Sequence, residues 1–141
     1  MKFKNPYSKV DHTQKNNSNN LNAPDTSYII DYLEKHPDHY VLILGSGNSP
    51  KINQRVINLD IIKSKSVDLI ACGTVLPFKP STFNAVFCHD VLEHVPQPFE
   101  VASEIIRTTK KNGYIECSTP FLFPFHDVPD HYFNSSTSGI Q

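Results

Sequence analysis

The chain has 141 residues, 38% of them apolar and 11% aromatic, which suits one domain with one hydrophobic core. Thirteen Lys and Arg against fourteen Asp and Glu leave a formal charge of −1, so no broad basic field exists to hold nucleic acid or an anionic membrane. No apolar run approaches the ~20 residues that span a bilayer, and the polar start from Met1 to Asp11 has no signal-peptide core, which together imply a cytoplasmic protein.

Residues 1–24, with the run Gln14-Lys15-Asn16-Asn17-Ser18-Asn19-Asn20, carry too little apolar surface to offset the entropy of ordering and read as a flexible polar tail. The domain proper is expected over 25–141. Asp25, Thr26 and Ser27 offer capping side chains ahead of Tyr28, Ile29, Tyr32 and Leu33, whose spacing makes one helical face, stopped at His36-Pro37.

Tyr40 to Leu44 is continuously apolar, as in a strand covered on both faces within a parallel sheet. Directly after it, Gly45-Ser46-Gly47 lets the backbone bend sharply and lets a ligand approach without meeting a β-carbon. A dinucleotide fingerprint would need glycine at position 50, where the chain has Pro50, and no G-K-[ST] follows. NAD, FAD and a nucleoside-triphosphate loop therefore drop out. A second strand, Val56 to Asp60, ends in a carboxylate beside the first turn, where it can accept both hydroxyls of a ribose or else cap the next turn in solvent.

Further strands are expected at Val67 to Ala71, Phe83 to Cys88 and Tyr114 to Ser118. Between the last two, Pro98, Phe99, Val101, Ala102, Ile105, Ile106 and Thr109 mark a helix face, with Lys110 and Lys111 at its carbonyl end and Gly113 placed to close it. Strand, crossover helix and parallel strand form the right-handed unit of α/β folds. Cys72, Cys88 and Cys117 are far apart and odd in number, which suits buried free thiols.

Leu76-Pro77-Phe78, Phe83-Asn84-Ala85-Val86, Leu92-Glu93-His94-Val95, Glu104-Ile105-Ile106-Arg107 and Lys111-Asn112-Gly113, in that order, resemble the class I S-adenosylmethionine-dependent methyltransferases of the type 11-like group. Pro120-Phe121, Phe125-His126, Pro129-Asp130-His131-Tyr132 and Thr137-Ser138-Gly139 extend the resemblance, which runs from about Val41 to Gln141. It implies a Rossmann-like, doubly wound, mostly parallel sheet of strand order 3-2-1-4-5, with S-adenosylmethionine as cofactor and a small molecule as methyl acceptor. The usual C-terminal antiparallel hairpin is lacking, so the domain reads as C-terminally truncated, with its fifth strand a bare edge open to self-association or to a partner chain.

The resemblance also places the site. Gly45, Ser46 and Gly47 match the turn around the methionine part of the cofactor, Asp60 the ribose acid, Cys72 and Gly73 the adenine contacts, and His89 the floor of the methyl-donor pocket. His94, His126 and Asp127 are the candidates for a catalytic base toward the acceptor. Four positions depart from the family pattern, each losing a charge or a glycine: Ile43 before the turn, Ser49 for a third glycine, Cys72 for the adenine-binding aspartate and Asn84 for an aspartate of the fourth strand. These departures sustain an alternative, a catalytically inactive partner or regulatory module. A metal-dependent hydrolase built on His89, Asp90, Glu93, His94, His126, Asp127 and His131 ranks lower. On a helix the five-residue step from His89 to His94 turns the second ring by about 140°, so the two cannot share one face.

Overall fold

The computed structural model of the protein describes residues 24–121, 124, 130–136 and 138. Helix α1, Ser27–Lys35, buries Ile29 and Leu33 on one face. Thr26 occupies its N-cap without a side-chain cap bond, while Asp25 Oδ1 accepts from the Ser27 N–H at 2.9 Å. Its end is set by His36, which leaves the helical region at φ −136° ahead of Pro37.

Among the described residues five strands follow: β1 Val41–Leu44, β2 Val56–Asp60, β3 Leu69–Ile70, β4 Phe83–His89 and β5 Thr109–Ser118. All pair in parallel, in the order β3-β2-β1-β4-β5, so the expected α/β sheet and its strand order hold, with β5 at one edge. β1 is buried along its whole length. Its alternate side chains enter two cores. Val41 and Ile43 join Ile29, Leu33, Ala85 and Phe87 on the α1 side. Leu42 and Leu44 join Val86, Cys88, Val101 and Ile105 on the other, which helix α2, Pro98–Thr108, covers.

Three local expectations need correction. The third strand is two residues long rather than five, because Asp68 turns aside to hold β2: its N–H donates to Asn58 O (2.8 Å) and its Oδ2 accepts from Asn58 N–H (2.9 Å). Helix α2 closes at Thr108, not at Gly113, as the Thr108 and Thr109 hydroxyls fold back onto the Glu104 and Ile105 carbonyls and β5 starts at once. Lys110 and Lys111 thus lie in a bulge between the Phe83↔Thr109 and Ala85↔Tyr114 pairs, and Asn112, not Gly113, takes the positive φ of 62°. The thiols also differ from a uniformly buried set: Cys88 is buried, Cys72 half-buried and Cys117 exposed.

Two polar clasps hold the loops. The Asn58 side chain, 1% exposed within β2, donates to Ser49 O (3.0 Å) and Ser66 O (3.1 Å), tying the glycine bend to the loop beyond Asp60. Asn58→Ala leaves those carbonyls unpaired and opens a small cavity; a loss of about 2–4 kcal/mol is expected, read as a lower urea midpoint at unchanged slope. In the second clasp Arg107 donates to Glu104 Oε1 (2.6 Å) and Oε2 (2.7 Å) and to the carbonyls of Leu76 (3.0 Å) and Phe78 (2.8 Å), and Glu104 accepts from Leu76 N–H (2.7 Å).

The Arg107 guanidinium holds the Glu104 carboxyl below its ordinary 4.5, against the opposing pull of burial. At Asp68 burial pushes up most strongly, but the Lys51 ammonium and the Asn58 N–H together outweigh it and hold the carboxyl below 3.8. Both groups bind protons more readily unfolded, so their stabilisation is complete above the ordinary values and is lost as the pH falls through the lowered native ones. Acid unfolding followed by circular dichroism should show this loss, and Glu104→Gln should make that limb shallower.

Candidate active site

The carboxyl ends of β1 and β2 meet at the glycine bend. Gly45 has φ +73° and Gly47 φ +52°, and the Gly45 and Ser46 N–H groups both donate to Leu59 O, at 2.9 and 3.0 Å. Glycine is required at position 45 by packing as well as by φ, since an added β-carbon would lie 2.1 Å from Val91 Cγ2. Gly47 is exposed, with nothing near its missing β-carbon. Its N–H donates to Asp60 Oδ2 at 2.7 Å, and Asp60 Oδ1 accepts from Ile62 N–H at 2.8 Å. The bend and the acid are thus joined directly. The Gly47 carbonyl is held in turn by the Ser64 and Ser66 hydroxyls, at 3.0 and 3.3 Å.

The bend's N–H groups are therefore spent internally, and Ser46 O accepts from Ser49 N–H at 2.8 Å. Among the described residues the Gly45 carbonyl accepts none of these backbone bonds, and the buried Ser46 Oγ has no hydrogen-bond partner. Acceptors therefore predominate at the bend. Each Asp60 oxygen receives one N–H and has a second lone pair for a hydroxyl donor.

The other expected residues are distributed around this rim. Gly73 faces Val101 and the end of Leu44, at 3.4–3.6 Å from where its β-carbon would stand, and Cys72 Sγ lies 3.1 Å from Thr74 Oγ1. His89 ends β4 with its ring 4.9 Å from Tyr28. Its Nε2 is 3.1 Å from Glu116 Oε1 but outside hydrogen-bond alignment. His94 lies in a 3-10 turn, Leu92–His94, with Nδ1 at 3.0 Å from Asp130 O and Nε2 at 3.9 Å from Glu93 Oε1. The Glu93 carbonyl accepts from Tyr132 and Phe133 N–H, at 2.7 and 3.3 Å, so this turn anchors residues 130–133. His126 and Asp127 lie outside the described residues.

The sequence profile of a family described as a methyltransferase domain matches residues 44–117, just over half of the chain. The chain belongs to this methyltransferase family. An uncharacterized methyltransferase of Mycobacterium leprae is 39% identical over 75 residues, which is 50% of this chain and 28% of the relative. One of Mycobacterium tuberculosis is 38% identical over 75 residues, covering 50% and 30%. The match thus spans about three-tenths of these curated relatives. Among solved structures, the YcgJ protein of Bacillus subtilis superposes with a TM-score of 0.57 at 18% identity over 79% of this chain and 64% of that one. A SAM-dependent methyltransferase of Archaeoglobus fulgidus gives 0.51 at 15% identity over 81% and 64%. At such identities these two speak for the fold.

Within this methyltransferase domain two groups of rim residues escaped the reading of the sequence. Ile61 and Ile62, directly beyond Asp60, are 44% and 42% exposed, an apolar surface beside a carboxylate. Two isoleucines immediately after a strand-ending acid were the available signal. Ser64 and Ser66, and Val91 against Gly45, gave none, because their partners are distant in sequence. Asn84, one of the four departures, lies at the opposite rim, where its Oδ1 accepts from Tyr40 N–H (3.0 Å) and Lys110 Nζ (2.9 Å). Its lost charge therefore falls away from the bend. Among the described residues no three His, Cys, Asp or Glu side chains gather as metal ligands would, and no helix is long and apolar enough to cross a membrane.

Proposed function

We propose that this domain binds S-adenosylmethionine at the rim formed by Gly45–Gly47 and Asp60 and directs its methyl group to a small-molecule acceptor. The observation that carries this reading is the 2.7 Å bond from Gly47 N–H to Asp60 Oδ2, which brings a bare glycine surface and a carboxylate with spare lone pairs together at one rim of the sheet.

The residues present suit the cofactor. Gly45 O and Ser46 Oγ offer acceptors to an ammonium, Asp60 offers acceptors to two ribose hydroxyls, and Ile61 and Ile62 offer a dry face to a flat base. At the adenine end Cys72 supplies only a weak acceptor, already beside Thr74, so affinity is expected to be modest. When bound, S-adenosylmethionine supplies a methyl group already activated on a sulfonium. The protein's task is then to hold an acceptor in line, and positioning of this kind contributes up to about 7–11 kcal/mol.

His126, Asp127 and His94 remain our candidates for proton removal from an acceptor, and His89 for the floor of the site. The β5 edge is our proposed place for pairing with a further strand, from this protein, another copy or a partner chain. A non-catalytic module is the second reading, favoured by the missing carboxylate at Cys72. Equilibrium dialysis of the purified chain against S-adenosylmethionine tests the primary one. Saturable binding is expected, and none at millimolar ligand would overturn it.

A further inference from the structure

Cys88 and Cys117 face each other across β4 and β5. They are register partners in parallel strands, so their side chains leave the sheet on the same face. Neighbouring strands lie about 4.7–4.9 Å apart, inside the ~4.4–6.8 Å between α-carbons that a disulfide accepts. Cys88 is fully buried, whereas Cys117 is exposed on the edge strand. The two differ as an attacking and a resolving thiol should.

We propose that Cys88 and Cys117 form a peroxide-responsive thiol pair, closing to an intramolecular disulfide that rivets β4 to β5. The neighbouring Cys117 thiol, with burial adding to it, pushes Cys88 well above its ordinary value, and the Cys88 thiol in turn holds Cys117 below its own. Cys117, the exposed member of the pair, is therefore the thiol that meets oxidant.

In the first step its sulfur attacks hydrogen peroxide. An S–O bond forms, the O–O bond breaks, and the departing hydroxide takes up the proton Cys117 has lost, leaving a sulfenic acid and one water. In the second step the Cys88 sulfur attacks the Cys117 sulfur. The S–S bond forms, the S–O bond breaks, and hydroxide leaves with the Cys88 proton as a second water. Two thiols are oxidised by two electrons and one peroxide is reduced. The pair needs a small approach of its β-carbons, which β5, paired among the described residues with β4 alone, can supply.

The link would fasten the rim where β4 ends, beside His89 and the Asp90 N–H, which donates to Ser118 O at 3.0 Å. Cys72 stands apart, next to Thr74, and serves as the internal control.

The test treats the purified chain with hydrogen peroxide, blocks free thiols with iodoacetamide under denaturing conditions, and maps peptides by mass spectrometry. The expected result is a monomer lighter by two hydrogens, a Cys88–Cys117 cross-linked peptide restored by reductant, and Cys72 still alkylated. Cys88→Ser should accumulate a dimedone-reactive sulfenic acid at Cys117, and Cys72→Ser should still form the link. A Cys117 carried to sulfinic acid with Cys88 still alkylatable, a link through Cys72, or a disulfide between copies would each overturn the proposal. The wild-type peptide map decides the matter even if a serine variant folds poorly.

Discussion

Gly45→Ala is expected to lower the unfolding free energy by about 2–5 kcal/mol, the largest stability change of any single methyl addition at the rim. A positive φ on a residue with a β-carbon costs about 1–2 kcal/mol, and forcing a methyl into Val91 adds about 1–3 kcal/mol. Gly47→Ala separates the two effects, because its φ of +52° is equally left-handed while the space around it is open. It should lose only the first ~1–2 kcal/mol. Gly45→Ala combined with Val91→Ala should relieve the collision and show a coupling of more than ~0.5 kcal/mol in a double-mutant cycle. Urea unfolding of the wild type, the three single variants and the double variant measures all of this. Equal losses for the two glycine variants would mean that Val91 simply turns away and that packing beneath the bend is loose.

Asp60→Ala is expected to weaken S-adenosylmethionine binding by at least ~100-fold, since two charge-assisted hydrogen bonds of about 1.5–3 kcal/mol each would be removed. The same change strips an acceptor from Gly47 and Ile62 N–H. Both amides belong to the rim loops, where water can replace the carboxylate, so the loss of folding stability should be near ~1 kcal/mol. Asp60→Asn keeps one acceptor oxygen and should fall between wild type and alanine in affinity. Isothermal titration gives the affinities and ligand-free unfolding gives the stabilities. If stability drops but affinity does not, Asp60 is a turn cap and the ribose contact is wrong.

The order of elements was legible because it depends on neighbours in the chain. The unbroken run Tyr40–Leu44 announced a strand buried on both faces; β1 starts one residue later, at Val41, and is buried throughout, whereas Tyr40 is exposed. The Glu104–Arg107 and Leu76–Phe78 segments were visible as family motifs, but their meaning was not: they form one clasp between α2 and the loop before β4. Asn58 was hidden inside an apolar strand for the same reason. Its role depends on carbonyls eight or nine positions away that the fold brings over it.

Composition, strand-length apolar runs and the two glycines after β1 were sufficient for an α/β sheet with a sharp bend after its first strand, because backbone conformation and burial follow from local residue chemistry. What touches what was decided by the tertiary structure alone. The seating of Gly45 on Val91, the bond from Gly47 to Asp60 and the facing thiols of Cys88 and Cys117 all join segments far apart in sequence. Strand register and loop packing set such distances, and no local pattern encodes them.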